Sequence, residues 1–242
     1  MRKIMETYAI KILDINDEQL NELSLIIDLE KRIKIKKFIN KKDKIRTIIG
    51  EILIRTIIIK ELSIGNERIK FRKNLYDKPY LKDHTEFNFN ISHSGDYVVC
   101  VIDSKPVGID IEEIKHIDYK EISKCFFTVR EFDYIINQNL NIQLSKFYTI
   151  WTLKESYIKC CGQGLSISLN SFSLDIDRYE NAKVIINNEP KEHSFRIFDI
   201  EPGYKMAVCS LNKEIPNNII NINQHNLIKN YCKLASEKGR IH

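Results

Sequence analysis

Residues 147–164 carry the sequence FYTIWTLKESYIKCCGQG, and this stretch decides the fold of the second half of the chain. Its apolar side chains recur at steps of three and four residues, which predicts a helix with one buried stripe made of Ile150, Leu153, Tyr157 and Cys161. A neighbouring face of the same helix presents, at steps of four, Trp151, Glu155 and Lys159. Glycines at positions 162 and 164 predict the end of the helix, because glycine is common at helix C-termini.

A second stretch, VGIDIEE at residues 107–113, changes the interpretation of Glu155. If it forms a strand, Asp110 and Glu112 point to one face, because side chains alternate along a strand. Their apolar neighbours predict burial, and a buried carboxylate needs a partner, of which a cation is one. Three carboxylates from two elements are the hard oxygen donors that magnesium prefers. Exposed strands also carry carboxylates routinely, so a surface pair is the competing interpretation.

The composition indicates a globular protein of one large domain or two small ones, with 242 residues, 43% hydrophobic and 29% charged. Lysine and arginine exceed the acidic residues by 38 to 33, which gives a net charge of +5. The six cysteines show no CxxC and no secreted spacing, so we interpret them as free thiols in a reducing compartment. No apolar run approaches the length of a membrane span. We therefore expect a cytoplasmic protein with no membrane partner.

The order of predicted elements indicates an α+β fold that contains an internal repeat. A long helix at residues 42–62 precedes a hairpin within residues 87–103, and the central helix precedes strands within residues 195–211. This echo predicts two similar halves related by a pseudo-two-fold axis, although chance similarity between apolar strands is the alternative. We expect an N-terminal half at residues 1–105, a C-terminal half at 106–222 and a polar tail at 223–242. A ligand cleft between the halves is the favoured site.

Two further features suit an anionic ligand. The segment NISHSG at residues 90–95 offers an imidazole and two hydroxyls that can bond to a phosphate, although an ordinary hairpin turn is the alternative. Basic residues crowd between Lys31 and Lys73, which favours a polyanionic ligand or an acidic partner, while a solvated helix face fits equally. Few aromatic residues interleave with them and no nucleic-acid-binding motif is present, so we expect no nucleic acid partner. The sequence contains no GxSxG motif, which argues against a nucleophilic hydrolase.

Three stretches in this order, FNISHSGDYVV, PVGIDIE and WTLKESYIK, closely resemble the signatures of the 4′-phosphopantetheinyl transferases of the surfactin-synthetase-activating type. The resemblance covers roughly residues 5–215. It implies a pseudo-dimeric α+β fold with a coenzyme A site between the halves, and a magnesium-dependent transfer of 4′-phosphopantetheine to a serine of an apo carrier protein, with release of 3′,5′-ADP. The natural carrier, peptidyl or acyl, stays open. A non-catalytic relative that binds coenzyme A or a carrier is the alternative. The short trimeric carrier-synthase type lacks the duplicated half, so we expect a monomer.

The resemblance also assigns roles to residues. It implies magnesium ligands at Asp110, Glu112 and Glu155. Glu155 is our candidate general base, directly or through water, and Lys159 would neutralise phosphate charge. The implied coenzyme A contacts are Lys31, Lys34, Arg46 and Thr47 at the 3′-phosphate end, Lys78 and Pro79 at the adenine, Ser92 and His93 at the phosphates, and Lys154 and Lys159 beside the metal. In the adenine segment, Asp77 replaces a glycine of the family.

A carrier protein needs a docking surface near the cleft. Phe126, Phe127 and Phe132 lie between the predicted metal strand and the central helix, so they are candidates for that contact. For each of them a place in the core is the alternative.

Overall fold

Two helices of 22 residues each, α3 (Lys41–Leu62) and α6 (Leu140–Cys161), organise the computed structural model, which describes residues 5–177 and 179–236. Helix α6 contains the predicted central helix and begins several residues before Phe147. It ends at Gly162, as predicted, and the φ of this glycine is 71°, in the left-handed region that favours glycine.

The remaining elements of the first half follow the chain in this order: β1 (Glu6–Lys11), α1 (Asp17–Leu25), α2 (Leu29–Lys36), β2 (Phe71–Lys73), β3 (Pro79–Leu81), β4 (Asn88–Ser94) and β5 (Tyr97–Asp103). Those of the second half are β6 (Val107–Glu113), α4 (Tyr119–Phe126), α5 (Val129–Ile136), β7 (Ser173–Ile176), β8 (Ala182–Ile186), β9 (Glu189–Pro190), β10 (Ser194–Phe198) and β11 (Tyr204–Ser210). Two elements follow them, β12 (Ile219–Asn221) and α7 (Gln224–Ser236).

The same arrangement of strands occurs in both halves. In the first, β5 lies antiparallel between β1 and β4; in the second, β11 lies antiparallel between β6 and β10. Each half therefore consists of a strand, a group of helices ending in a 22-residue helix, and a hairpin whose second strand returns beside the first. The predicted α+β fold with two similar halves is confirmed.

The two main sheets pack against each other between the long helices. One face of β5 packs on α3 through Val98 and Cys100, in a core that includes Ile48 and Ile52. The other face, with Val99 and Val101, packs on the β6–β11 sheet. Because side chains alternate along a strand, a continuous apolar run such as β5 can serve both cores at once.

The segment after β11 returns to the first half. Strand β12 pairs parallel with β1, and α7 buries Leu227, Ile228 and Tyr231 in the core beneath α3. The side chain of Gln224 is buried and bonds to both the N–H and the carbonyl of Leu13. The predicted tail is thus helical over its described part, while residues 237–242 lie outside the described residues, as do residues 1–4. The predicted boundaries at residues 105 and 222 stay a prediction.

Nowhere in residues 5–177 and 179–236 is there a helix long and apolar enough to cross a membrane.

Replacing Tyr231 by alanine is expected to destabilise the protein by about 3–5 kcal/mol, because truncating a fully buried aromatic ring leaves a cavity. The measurement is the midpoint of urea denaturation. Cys232→Ala is the matched control. Cys232 follows Tyr231 directly and is exposed, so this variant should unfold like the parent. Equal midpoints for the two variants would contradict the burial of α7.

Candidate functional site

Side chains of β4 connect the two halves. Strands β4 and β6 belong to different sheets, so no backbone ladder joins them. Instead, three alternate side chains of β4 bond to β6: Asn90 Oδ1 accepts from the N–H of Ile109 (2.9 Å), Ser92 Oγ donates to Asp110 Oδ1 (3.0 Å), and Ser94 Oγ donates to Glu112 Oε2 (2.8 Å). The alternation of side chains along a strand thus places two hydroxyls against two carboxylates.

Helix α6 approaches β6 very closely at Gly108. A Cβ atom at this position would lie 2.1 Å from the carbonyl oxygen of Ser156 and 2.4 Å from the backbone nitrogen of Cys160. Only glycine permits this approach, because it has no side chain. As a result, one face of α6 lies directly beside the two carboxylates of β6.

An open cleft of about 390 Å³ lies where β4, β6 and α6 meet. Its walls are formed by Ile91, Ser92, His93, Asp110, Glu112, Trp151, Glu155 and Lys159. The predicted face of the central helix and the predicted face of the GIDIE strand therefore border the same space. The structure brings together six residues that the sequence analysis proposed: Ser92, His93, Asp110, Glu112, Glu155 and Lys159.

Lys159 and Asp110 form the central ion pair of the cleft. Lys159 Nζ lies 2.5 Å from Asp110 Oδ1 and 3.1 Å from Ser92 Oγ. Burial raises the pKa of Asp110, while Lys159 and the hydroxyl of Ser92 oppose that effect. The other oxygen, Asp110 Oδ2, is buried and has no hydrogen-bond partner in the described part of the chain. A buried carboxylate oxygen without a donor is costly unless a ligand supplies the partner.

The two glutamates of the cleft resist ionisation as well. Burial raises the pKa of Glu112, and the charges of Asp110 and Glu155 raise it further, against the effects of Ser94 and Lys159. Burial likewise raises the pKa of Glu155, which Lys159 lowers and Asp110 raises. Three acidic groups therefore compete for one ammonium group, and a further cation would stabilise all three in the charged form.

The three carboxylates fit a magnesium ion in their chemistry. Over residues 5–177 and 179–236, no three acidic, histidine or cysteine side chains lie close enough together to hold a metal as they stand. Asp110 pairs with Lys159 instead. A cation beside the three carboxylates would give Asp110 Oδ2 a partner and would favour the charged forms of Glu112 and Glu155, whose pKa values burial raises. The donor set suits magnesium rather than a softer metal.

His93 borders the cleft, and Arg46 lies close enough to affect the pKa of its imidazole. His93 keeps an exposed edge, yet desolvation lowers the pKa of its imidazole, and the charges of Arg46 and Lys159 lower it further. Arg46 Nη1 donates to the carbonyl of Gly95 at 2.7 Å, and the guanidinium pairs with Asp43. Arg46 Nε is buried and has no partner in the described residues, so this cation still has a donor to offer.

Lys31 and Lys34 lie on α2, beside α3 rather than in the walls of the cleft. Lys31 pairs with the buried Glu51 of α3 and keeps 40% of its side chain exposed, and Lys34 is exposed. Thr47 lies one helical turn before Glu51 and donates its hydroxyl to the carbonyl of Asp43 at 2.9 Å. Lys31 and Lys34 therefore place positive charge on the N-terminal half, outside the walls of the cleft.

Lys154 does not face the cleft, and its predicted contact with coenzyme A is wrong. The side chain is fully buried, pairs with Glu131 at 2.8 Å, and donates to the carbonyls of Leu169 and Phe172. Because Lys154 precedes Glu155 directly, it points about 100° away on the helix and reaches α5 and the segment before β7 instead.

Lys78 and Pro79 line a separate cavity of about 280 Å³. The ammonium of Lys78 donates to the carbonyl of Val107 at the start of β6 and to those of Lys159 and Cys160 at the end of α6, at 2.6–3.3 Å. The predicted contacts of Lys78 and Pro79 with the adenine stay a prediction. Burial lowers the pKa of Lys78. Asp77 has a φ of 63°, in the left-handed region, so it retains a backbone conformation that glycine adopts readily.

The three phenylalanines predicted to contact a carrier differ in their exposure. Phe127 is 5% exposed and packs against Phe147 in the second core, so its predicted contact with a carrier is wrong. Phe132 is half-buried, and Phe126 is 48% exposed. Phe126 lies near other exposed apolar residues of the same segment, Ile117 and Val129.

Two family models of 4′-phosphopantetheinyl transferases match this chain. Residues 106–209 match the family model of the 4′-phosphopantetheinyl transferase superfamily, and residues 15–105 match that of the N-terminal part of a 4′-phosphopantetheinyl transferase. The chain is 36% identical over 217 residues to 4′-phosphopantetheinyl transferase Sfp of Bacillus subtilis, covering 88% of this chain and 95% of that protein. It is 40% identical over 206 residues to 4′-phosphopantetheinyl transferase gsp of Aneurinibacillus migulanus, covering 84% of each.

A solved structure of a holo-(acyl-carrier-protein) synthase from Bacillus anthracis str. Ames, in complex with CoA (3′,5′-ADP), matches 43% of this chain and 93% of that chain, at 20% identity and a TM-score of 0.36.

Two matching family models and relatives at this identity define the class: the chain belongs to the 4′-phosphopantetheinyl transferase superfamily. It is an enzyme of the Sfp and gsp type. The predicted activity, transfer of 4′-phosphopantetheine from coenzyme A to a carrier protein, is confirmed.

Sequence reasoning missed the structural roles of Asn90 and Ser94. Asn90, Ser92 and Ser94 are alternate residues of the NISHSG segment. Since alternate side chains of a strand share a face, this spacing was the signal that could have grouped them. Their partners could not be read from the sequence, because Ile109 and Glu112 lie on a strand of the other half.

Gly108→Ala is expected to cost about 1–3 kcal/mol of stability and to reduce activity, since the added methyl group forces α6 away from β6 and the carboxylates apart. Urea denaturation and turnover measure the two effects. Gly50→Ala is the matched control, because its Cβ would meet Ile91 and Val98 at ordinary distances of 3.5 and 3.6 Å. An active Gly108→Ala enzyme with parental stability would contradict the close approach.

Proposed function

We propose that this transferase depends on magnesium, which Asp110, Glu112 and Glu155 hold in the cleft. The observation that carries the proposal is the buried and unpartnered Asp110 Oδ2, beside two glutamates whose pKa values are raised. When bound, the ion neutralises pyrophosphate charge and stabilises the charge that develops on the leaving 3′,5′-ADP.

Coenzyme A lies with its pyrophosphate in this cleft and its 3′-phosphate towards α2. Lys159 is placed to move from Asp110 to a phosphate oxygen, because part of its side chain is exposed and its ammonium already faces the cleft. The imidazole of His93 borders the cleft and can add a hydrogen bond, and Arg46 adds positive charge beside it. With Lys31, Lys34 and the magnesium ion, these groups balance the roughly four negative charges of coenzyme A, whose desolvation is otherwise costly.

Glu155 is the proposed general base. Its side chain borders the cleft beside the proposed ion, which would favour the charged carboxylate that accepts a proton in the reaction. Glu155 removes the proton of the carrier serine, directly or through water. The serine oxygen then bonds to the phosphorus next to the pantetheine, and the bond from that phosphorus to 3′,5′-ADP breaks.

The exposed apolar residues between β6 and α5 are the proposed contact for the carrier. Phe126, Ile117 and Val129 are exposed there, and Lys120 is an exposed basic residue of the same segment, whereas Lys124 pairs with Glu121. Ile117 also borders a small cavity of about 220 Å³ that reaches Glu112 and Trp151, so this surface adjoins the cleft. The arrangement can present a serine to Glu155.

Asp110→Asn is expected to lower turnover at least about 100-fold. Replacing a residue that only hydrogen-bonds to a metal ligand already lowers activity up to about 100-fold, and Asp110 is a proposed ligand itself. The assay follows the mass of an apo carrier incubated with coenzyme A and magnesium, and release of 3′,5′-ADP. A carrier whose serine is changed to alanine should gain no mass.

The fold of this variant should survive. Asparagine keeps an oxygen that can accept from Ser92, and weaker repulsion among the acids offsets the lost ion pair with Lys159, so the thermal stability without magnesium should change little. Glu113→Gln, on the same strand but facing away from the cleft, is the matched control with near-parental turnover. Near-normal kcat/KM of Asp110→Asn at limiting magnesium would contradict the metal assignment, and no mass gain on any apo carrier would favour the non-catalytic alternative.

Lys31→Ala is expected to weaken binding of coenzyme A by about 1.5–3 kcal/mol, the range for a hydrogen bond to a charged group. Binding of 3′-dephospho-coenzyme A should change much less. Titration calorimetry with both ligands measures the difference. Lys36→Ala removes a charge from an exposed position of the same helix and should affect the two ligands equally. Equal losses for Lys31→Ala would show that Lys31 does not bind the 3′-phosphate.

A further inference from the structure

Helix α2, which carries Lys31 and Lys34, has little apolar anchorage. Ile35 is its one buried residue, while Leu29 is 65% and Ile33 is 52% exposed. A helix of eight residues is too short to be stable by itself. Its position on α3 must therefore come largely from polar contacts.

Arg55 of α3 supplies the contacts that involve the start of α2 and Lys31, while Arg32 of α2 donates to the carbonyls of Ser24, Leu25 and Ile27. The guanidinium of Arg55 is almost fully buried, and its Nη2 donates to Asp28 Oδ2 at 2.6 Å. Asp28 is the N-cap residue that directly precedes α2. Arg55 Nε also donates to Glu51 Oε1 at 2.5 Å, and the other oxygen of Glu51 accepts from Lys31. One guanidinium thus holds both the start of α2 and the acid that binds its first lysine.

Arg55 is itself held from two further sides. Its Nη1 donates to Asn66 Oδ1 at 3.0 Å, and the same oxygen accepts from the hydroxyl of Tyr231 on α7 at 3.1 Å. Phe71 of β2 lies beneath both cations, with its ring centroid 5.3 Å from Arg55 Cζ and 5.4 Å from Lys31 Nζ. A buried guanidinium with this many fixed partners has a single orientation.

We infer that Arg55 and Asp28 are positioning residues for the 3′-phosphate of coenzyme A: they fix α2 so that Lys31 and Lys34 face the ligand. The inference rests on the proposed contact of these lysines with the 3′-phosphate. Neither Arg55 nor Asp28 touches coenzyme A, and their contribution acts through the orientation of α2.

The inference can be tested because two explanations predict opposite changes in coenzyme A affinity when the charge of Asp28 is removed. Asp28→Asn removes a negative charge close to the bound phosphates, so a purely electrostatic role predicts tighter binding of coenzyme A. Positioning predicts the opposite, because the variant loses its ion pair with Arg55 and frees the start of α2. The Asp28 side chain is 51% exposed and asparagine is equally suited to a helix start, so the variant should fold.

The experiment compares dissociation constants for coenzyme A and 3′-dephospho-coenzyme A by titration calorimetry. Asp28→Asn should weaken coenzyme A binding about fivefold, the effect of about 1 kcal/mol, and leave 3′-dephospho-coenzyme A unchanged, with kcat at saturation unaffected. Glu30→Gln is the matched control: it removes a negative charge from the same helix at an 83% exposed position that does not contact Arg55. Its coenzyme A affinity should stay the same or rise slightly.

Tighter binding of coenzyme A by Asp28→Asn would overturn the inference in favour of a field effect. Equal weakening for both ligands would overturn it in favour of a general structural role. Lys31→Ala, measured in the same series, separates these failures from that of the proposed function. If Lys31→Ala discriminates between the ligands and Asp28→Asn does not, only the inference fails; if Lys31→Ala does not discriminate, the assignment of the lysine fails, and the inference with it.

Discussion

The hydrogen bond from Ser92 to Asp110 is the contact on which the site depends. It joins the β4 edge of one half to the β6 edge of the other, and Lys159 of α6 bonds to the same two side chains. A single cluster therefore links three elements that come from both halves. Neither half alone contains all the members, which gives a physical reason why the duplicated fold places its site at the junction.

The charges of this cluster do not balance within the protein. Asp110, Glu112 and Glu155 lie in a partly desolvated cleft with Lys159 as their shared cation, and the pKa of each acid is raised. Such an arrangement costs stability, because like charges repel and burial disfavours ionisation. A site that is unfavourable when empty gains most when its ligands arrive, which is the usual relation between function and stability.

The sequence predicted those parts of the site that depend on local periodicity. The face of α6 with Glu155 and Lys159 follows from a spacing of four, and the face of β6 follows from a spacing of two. It failed at Lys154, which looks like one more exposed basic residue of the helix until the buried partner Glu131 is seen. The same holds for the tail: α7 is polar on average, and only packing under α3 explains the burial of Tyr231. Partners distant in sequence leave no local pattern, so such contacts require the structure.

The path of the chain after β11 has a consequence for synthesis on the ribosome. Strand β12 and helix α7 complete the sheet and the core of the N-terminal half, although they follow the whole C-terminal half in sequence. The first half to emerge is therefore the last to be finished, and part of its apolar surface stays uncovered while the second half is being made. Domains usually fold in the order of their synthesis. Here the order of completion is reversed, so the nascent chain exposes an apolar surface that a chaperone can bind until α7 arrives.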